Sequence, residues 1–144
     1  MNFMDSLAIS STGLSAQRLR MNLISSNMAN VNTTRTETGE PYKRKDVIFE
    51  ASREGSFEEA LGGALDAQEG GVHVAGIVED DKPFVMKYDP GHPDADENGY
   101  IRLPNVNIVE EMVNMISASR SFEANATAIS ATKDMAGVAL EIGK

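Results

Sequence analysis

Residues 108–140 read IVEEMVNMISASRSFEANATAISATKDMAGVAL, and within them Ile108, Met112, Met115, Ser119, Phe122, Ala126, Ile129, Lys133, Ala136 and Leu140 recur at alternating spacings of four and three. That period is the heptad of a helix packed along its length against another helix. Ser119 and Lys133 interrupt an otherwise apolar seam, and a helix of this length spans ~50 Å at ~1.5 Å per residue. Val109, Val113 and Ile116 widen the stripe, and residues 124–132 carry no charge. So much uncharged surface wants neighbours on more than one side. The stretch therefore predicts a left-handed coiled-coil or bundle helix whose other faces also meet partners.

A second helix is predicted at the other end of the chain, from residue 3 to about residue 28. Phe3, Leu7, Leu14, Met21, Ile24, Met28 and Val31 line one side at helical spacing, and Ala16, Leu19 and Leu23 broaden it. Its polar positions are Ser6, Ser10, Ser11, Thr12, Ser15, Asn22, Ser25 and Ser26 instead of Glu and Lys. Small hydroxylated residues are poorer helix formers and suit close helix contacts better than water. Gly13 weakens the helix further, so its order is expected to come from packing. The helix should stop in the run from Ser26 to Thr34, where Asn, Ser and Thr side chains compete for the backbone and Asn tolerates left-handed conformations.

Between the two helices the periodicity changes. Tyr42 followed by Val47, Ile48 and Phe49 suggests a strand, and Val72 to Val78 and Phe84 to Met86 suggest two more. Ser56 and Glu59 form a capping-box pattern for a short helix ending at Gly62 and Gly63. His73, alternating with Val72 and Val74, reads as a strand side chain. The expected architecture is mainly α: long N- and C-terminal helices forming an antiparallel coiled-coil-like core, with a small irregular β-rich insertion between them. Residues 1–34 and 106–144 would form a discontinuous terminal-helix domain, and residues 35–105 the insertion, placed at one end of the helix pair.

Composition excludes several function classes. The net charge of −9 over 144 residues argues against nucleic acid as a partner. The first 36 residues hold three arginines against Asp5, and the last 39 hold five acids against three bases, so a deficit of nine falls in residues 37–105. The basic run Lys43-Arg44-Lys45 is short and reads as solvated. Absence of cysteine removes disulfides, thiolate nucleophiles and Cys-based zinc sites. No apolar run approaches the ~20 residues of a spanning helix, so direct membrane insertion is not expected. The first residues carry Asp5 where a cleavable signal would place a positive charge. No catalytic motif is present, and neither an enzyme nor a cofactor is expected.

One loop invites a competing reading. Asp94, Asp96 and Asn98, followed by Gly99 and Ile101, match the opening of a calcium-binding EF-hand loop. Asn105 stands at the closing position, where a bidentate Glu is required, and Pro90, Pro93 and Pro104 deny the loop its flanking helices. The favoured reading is a turn-rich loop that fixes the return into Ile101-Arg102-Leu103.

With both helices and their junctions in view, the chain resembles the flagellar basal-body rod proteins of the flagellar axial family. Leu23-Ile24-Ser25-Ser26-Asn27-Met28-Ala29-Asn30-Val31-Asn32-Thr33 looks like the signature shared by rod and other axial proteins. Tyr88 to Ala95, Gly99-Tyr100, Pro104 to Asn107, Glu111-Met112 and Arg120 to Asn125 narrow the resemblance to the proximal-rod branch. Phe122 departs from the Tyr often found there. The resemblance implies a non-enzymatic, torque-transmitting subunit that polymerises helically with itself and other rod proteins above a basal-body adaptor at the rod base. It also implies passage through the flagellar type III export apparatus without a cleaved signal peptide, to the periplasmic side in a Gram-negative cell. Assembly contacts are then expected at Leu14, Met21, Ile24, Asn27, Met28 and Asn30 on the first helix, and at Met112, Met115, Arg120, Phe122, Asn125 and Ile129 on the second. Two other classes remain: a calcium-binding regulatory module, with metal-dependent stability, and a cytosolic helical scaffold, a soluble oligomer of fixed size that is not exported.

Overall fold

A computed structural model describes residues 3–51 and 70–142. Among the described residues two helices, α1 (Phe3–Ala29) and α2 (Ile108–Ile142), flank four short strands: β1 (Lys45–Ala51), β2 (Val72–Glu79), β3 (Val85–Tyr88) and β4 (Tyr100–Leu103). The capping-box pattern at Ser56 and Glu59 lies outside the described residues.

Both helix ends are set by asparagine. The Asn30 amide nitrogen donates to the Ser26 carbonyl at 2.9 Å, and the Asn30 backbone N–H reaches the same oxygen. The end of α1 is thus satisfied by a side chain, and no residue other than glycine is left-handed among the described residues. At the start of α2 the Asn107 side-chain oxygen accepts the Val109 N–H at 3.0 Å, with Glu110 and Glu111 in the first turn. That is an N-cap followed by acids near the positive end of the helix dipole.

The helices run antiparallel. Asn27 of α1 meets Glu111 of α2, while Gly13, fourteen residues earlier, meets Asn125, fourteen residues later. The inward stripe of α2 holds the buried Glu111, Ala118 and Thr132, with the half-buried Met115, Phe122, Asn125, Ile129 and Ala136 between them. This stripe keeps the four-three spacing but corrects the phase expected from hydrophobicity. It shares Met115, Phe122, Ile129 and Ala136 with the predicted seam and replaces Met112, Ser119, Ala126 and Lys133 by the residues immediately before them. The facing surface of α1 accommodates this phase because it is built from small residues. Ala16 is buried there, and a Cβ on Gly13 would lie 3.0 Å from the Asn125 amide. Close approach favours small and hydrogen-bonding partners over Met and Ile.

The strands form two separate antiparallel hairpins. β1 pairs with β2 from Lys45↔Glu79 to Ala51↔Val72, with a register shift between Ile48 and Phe49. This hairpin does not sit at one end of the helix pair. It lies along α1, because the Lys45 end bonds Asn27 and the Val72 N–H donates to the Thr12 hydroxyl at 3.1 Å. Gly71 is required at that second contact: its φ is +112°, and a Cβ would stand 2.7 Å from the Thr12 oxygen.

The second hairpin pairs β3 with β4, from Val85↔Leu103 to Tyr88↔Tyr100, where the two rings meet edge to face at 5.3 Å. Sequence reading took Ile101 to Leu103 only as a return. Ile101 is in fact buried on the inner face of this hairpin. Among the described residues no helix is long and apolar enough to cross a membrane.

Candidate functional site

Where α1 ends, a buried polar cluster joins both helices to β1. Asn27 is fully buried and uses all of its amide capacity. Its nitrogen donates to the Lys45 carbonyl at 2.8 Å and to the Glu111 carboxylate at 3.1 Å. Its oxygen accepts the Lys45 N–H and the Tyr42 hydroxyl, each at 2.9 Å. Glu111 is also fully buried, and its second oxygen accepts from Arg44 Nε at 2.8 Å. Arg44 further donates to Asp46 at 3.1 Å, and its backbone N–H donates to the Asn105 side chain at 3.2 Å. Burial alone lowers the Arg44 pKa. The hydrogen bonds and negative charge of Glu111 and Asp46 outweigh that effect, so the net shift is upward. The buried carboxylate thus faces a permanent cation.

One residue round the helix, the surface is entirely different. Ile108, Val109, Met112, Val113 and Ile116 are all exposed, Met112 at 50%. With Ser25, Met28 and Met115, Met112 and Ile116 line an apolar cleft of about 510 Å³ between the helices. Met4 of α1 and Met135, Val138 and Leu140 of α2, towards the far end of the pair, are exposed as well. Hydroxyl side chains on both helices are satisfied by their own backbone: Ser10 by Ser6, Ser121 by Ser117, Thr127 by Glu123 and Thr132 by Ala128, all at 3.0 Å or less. Surfaces of this kind lie against another helix without leaving a polar group stranded.

The expected assembly residues divide accordingly. Ile24 and Asn27 are internal, and Asn27 has no hydrogen-bonding group left for a neighbour. Asn125 packs under Gly13, and Asn30 is engaged with Ser26 and Thr33. Leu14, Met21, Phe122 and Ile129 are half-buried, and Arg120 is exposed. Met28, Met112 and Met115 come together at the outward cleft. Sequence reading missed Tyr42, Arg44, Asn105 and Glu111 as a unit. The available signal was the polar and small stripe of Glu111, Ala118, Asn125 and Thr132, at the same heptad spacing as its apolar neighbour.

The acidic loop is organised by its own carboxylates. Asp96 accepts the N–H groups of Asn98 and Tyr100, each at 2.9 Å. Asp94 accepts the Thr34 hydroxyl at 2.8 Å and lies 3.5 Å from Arg35 Nε, tying the loop to the segment after α1. Asn98 is exposed, and among the described residues no three His, Cys, Asp or Glu side chains group as metal ligands. His73 projects from β2 beside Glu50 at 3.6 Å.

Comparison with known proteins places these features. Residues 7–35 match the family described as flagella basal body rod protein, and residues 97–142 match the C-terminal region of the flagellar basal body rod FlgEFG proteins. The chain is 48% identical to the flagellar basal-body rod protein FlgC of Borreliella burgdorferi, over 99% of this chain and 98% of that one. It is 47% identical to FlgC of Bacillus subtilis, over 96% and 97% of the two chains. Against FlgC of Salmonella typhimurium the identity is 40%, over 94% of each.

Proposed function

Since the chain belongs to the FlgC family of flagellar basal-body rod proteins and is a structural subunit of that rod, we propose that the outward face of α2 is the surface through which it polymerises. The observation that carries this reading is the exposed Ile108, Met112 and Ile116 stripe beside Met28. A face of that composition is unstable in water and is stabilised when a neighbouring helix covers it. Copies of this chain and other rod proteins are the occupants, and helical repetition of one contact builds a stiff shaft that transmits torque. The role is structural, with no reaction.

Residues 1–34 and 106–144 act as the assembling unit. The acidic residues 35–105 form an appendage held to it by the Asn27, Arg44 and Glu111 cluster. The subunit meets a basal-body adaptor at the rod base and reaches the periplasmic side through the flagellar type III export apparatus. Passage in a largely unfolded state suits helices whose order depends on packing.

The test is electron microscopy of basal bodies from a strain carrying Met112→Asp. Rods that stop before the distal segment are expected, with the subunit still soluble and exported. Complete rods and hooks would mean that this face is not an assembly surface.

A further inference from the structure

α2 carries two overlapping stripes with the same heptad spacing, one holding Ile108, Met112 and Ser119 and the other Glu111, Ala118, Asn125 and Thr132. They share Met115, Phe122, Ile129 and Ala136, so one is exchanged for the other by a rotation of about 50° about the helix axis, half of a residue step. The less apolar stripe faces α1: Glu111 and Ala118 are fully buried, while Met112 and Ile116 are 50% and 56% exposed. Burial of apolar area alone favours the opposite choice.

Something must oppose that rotation, and the buried cluster is placed to do so. We infer that the contact of Asn27, Arg44 and Glu111 is a rotational key, which fixes the phase of α2 and holds its more apolar face outward. In the observed phase each hydrogen-bonding group of Asn27 is satisfied, and both Glu111 oxygens are engaged. Turned to the other stripe, α2 would bring Met112 towards the Asn27 amide and carry Glu111 away from Arg44. A buried amide and a guanidinium would then lose their partners, which is costly in a low-dielectric site. Buried polar groups act in this way where one packing must be chosen from several of similar apolar content.

The rest of the inward stripe does not make the choice. Ala118 has no polar side-chain atom, and Thr132 is satisfied by the Ala128 carbonyl within its own helix. The key sits near one end of the helix pair, at the first turn of α2. A subunit without it remains helical and hides the face by which it would otherwise bind. The inference concerns the free subunit, so its outcome is independent of whether that face assembles.

The experiment uses the full chain, which has no native cysteine. Gly13→Cys with Asn125→Cys reports the phase, because a Cβ at Gly13 lies within 3.3 Å of the Asn125 side chain. The key is removed by combining Asn27→Leu, Arg44→Met and Glu111→Leu. Disulfide formation should slow by about tenfold or more, since thiols turned apart cannot close a bond. Peroxide oxidation of Met112, read by mass spectrometry, should slow by about threefold as the residue becomes covered. Circular dichroism should show the helix content retained. Undiminished disulfide formation in a helical triple variant would overturn the inference. So would loss of helix, since no competing phase would then exist for the key to oppose. Glu111→Gln keeps the side-chain shape but turns one of the two accepting oxygens into a donor that faces Arg44 Nε or the Asn27 amide, so it should slow the disulfide by about twofold or more; an unchanged rate there would equally overturn the inference.

Discussion

The inward and outward faces of α2 differ from the usual arrangement of a helix in a small protein, because the most buried positions are not the most apolar ones. Inward, a buried carboxylate, alanine and threonine alternate with the half-buried Met115, Phe122 and Ile129; outward lie isoleucine, methionine and valine, exposed by 42% to 69% between Ile108 and Ile116. In a protein that ends its life as a monomer, such an outer face promotes aggregation. In a subunit built to be enclosed, it is the part whose free energy has yet to be gained. The inner face needs geometry more than area, and a satisfied polar cluster supplies it. Rod subunits of this construction can therefore fold to a defined shape and still hold apolar surface in reserve.

The comparison breaks most severely if the outward face is charged. Met112→Asp should abolish motility through loss of rod assembly, while the free subunit keeps its stability within about 0.5 kcal/mol, as for other exposed positions. Paired measurements of swarming and urea unfolding check both halves. A large loss of subunit stability would mean that Met112 supports the fold and does not wait for a partner.

On the inward side, Glu111→Ala removes one half of a buried pair and strands Arg44 and the Asn27 amide. Unfolding free energy should fall by about 3–5 kcal/mol. A loss below about 1 kcal/mol would show the cluster to be dispensable, and the contrast between the faces would fail.

A smaller effect is expected where the β1 and β2 hairpin meets α1. Gly71→Ala forces a Cβ onto the Thr12 hydroxyl at a positive φ, and should cost about 1–3 kcal/mol. The same urea titration reads it. An unchanged midpoint would place the hairpin free of α1. Smallest of all, Asp96→Ala with Asn98→Ala should lower stability by about 1 kcal/mol through the lost turn bonds. Melting with excess calcium or with chelator should give the same midpoint, and a calcium-dependent difference would revive the metal reading of this loop.

How much of this was legible in the sequence depends on the range of the interaction. Both helices were readable to within a residue or two, because the heptad and the Asn stops are local signals. β4 escaped notice because Ile101, Arg102 and Leu103 become a strand only by pairing with β3. The rotational phase of α2 escaped for a related reason. Periodicity selects the most apolar stripe, whereas Asn27 and Arg44, the partners that hold Glu111 inward, lie more than 60 residues away in sequence. Asn27 was singled out as an assembly contact, and the partners that engage its whole amide within the subunit could not be read from the sequence.

The central claim is that the Met112 face is open in the subunit and closed in the rod. The most direct measurement is the alkylation rate of Met112→Cys, in a chain otherwise free of cysteine, compared between purified subunit and isolated basal bodies. Rapid labelling of the free subunit and strong protection in the rod are predicted. Equal rates in the two states, or protection already in the free subunit, would contradict it.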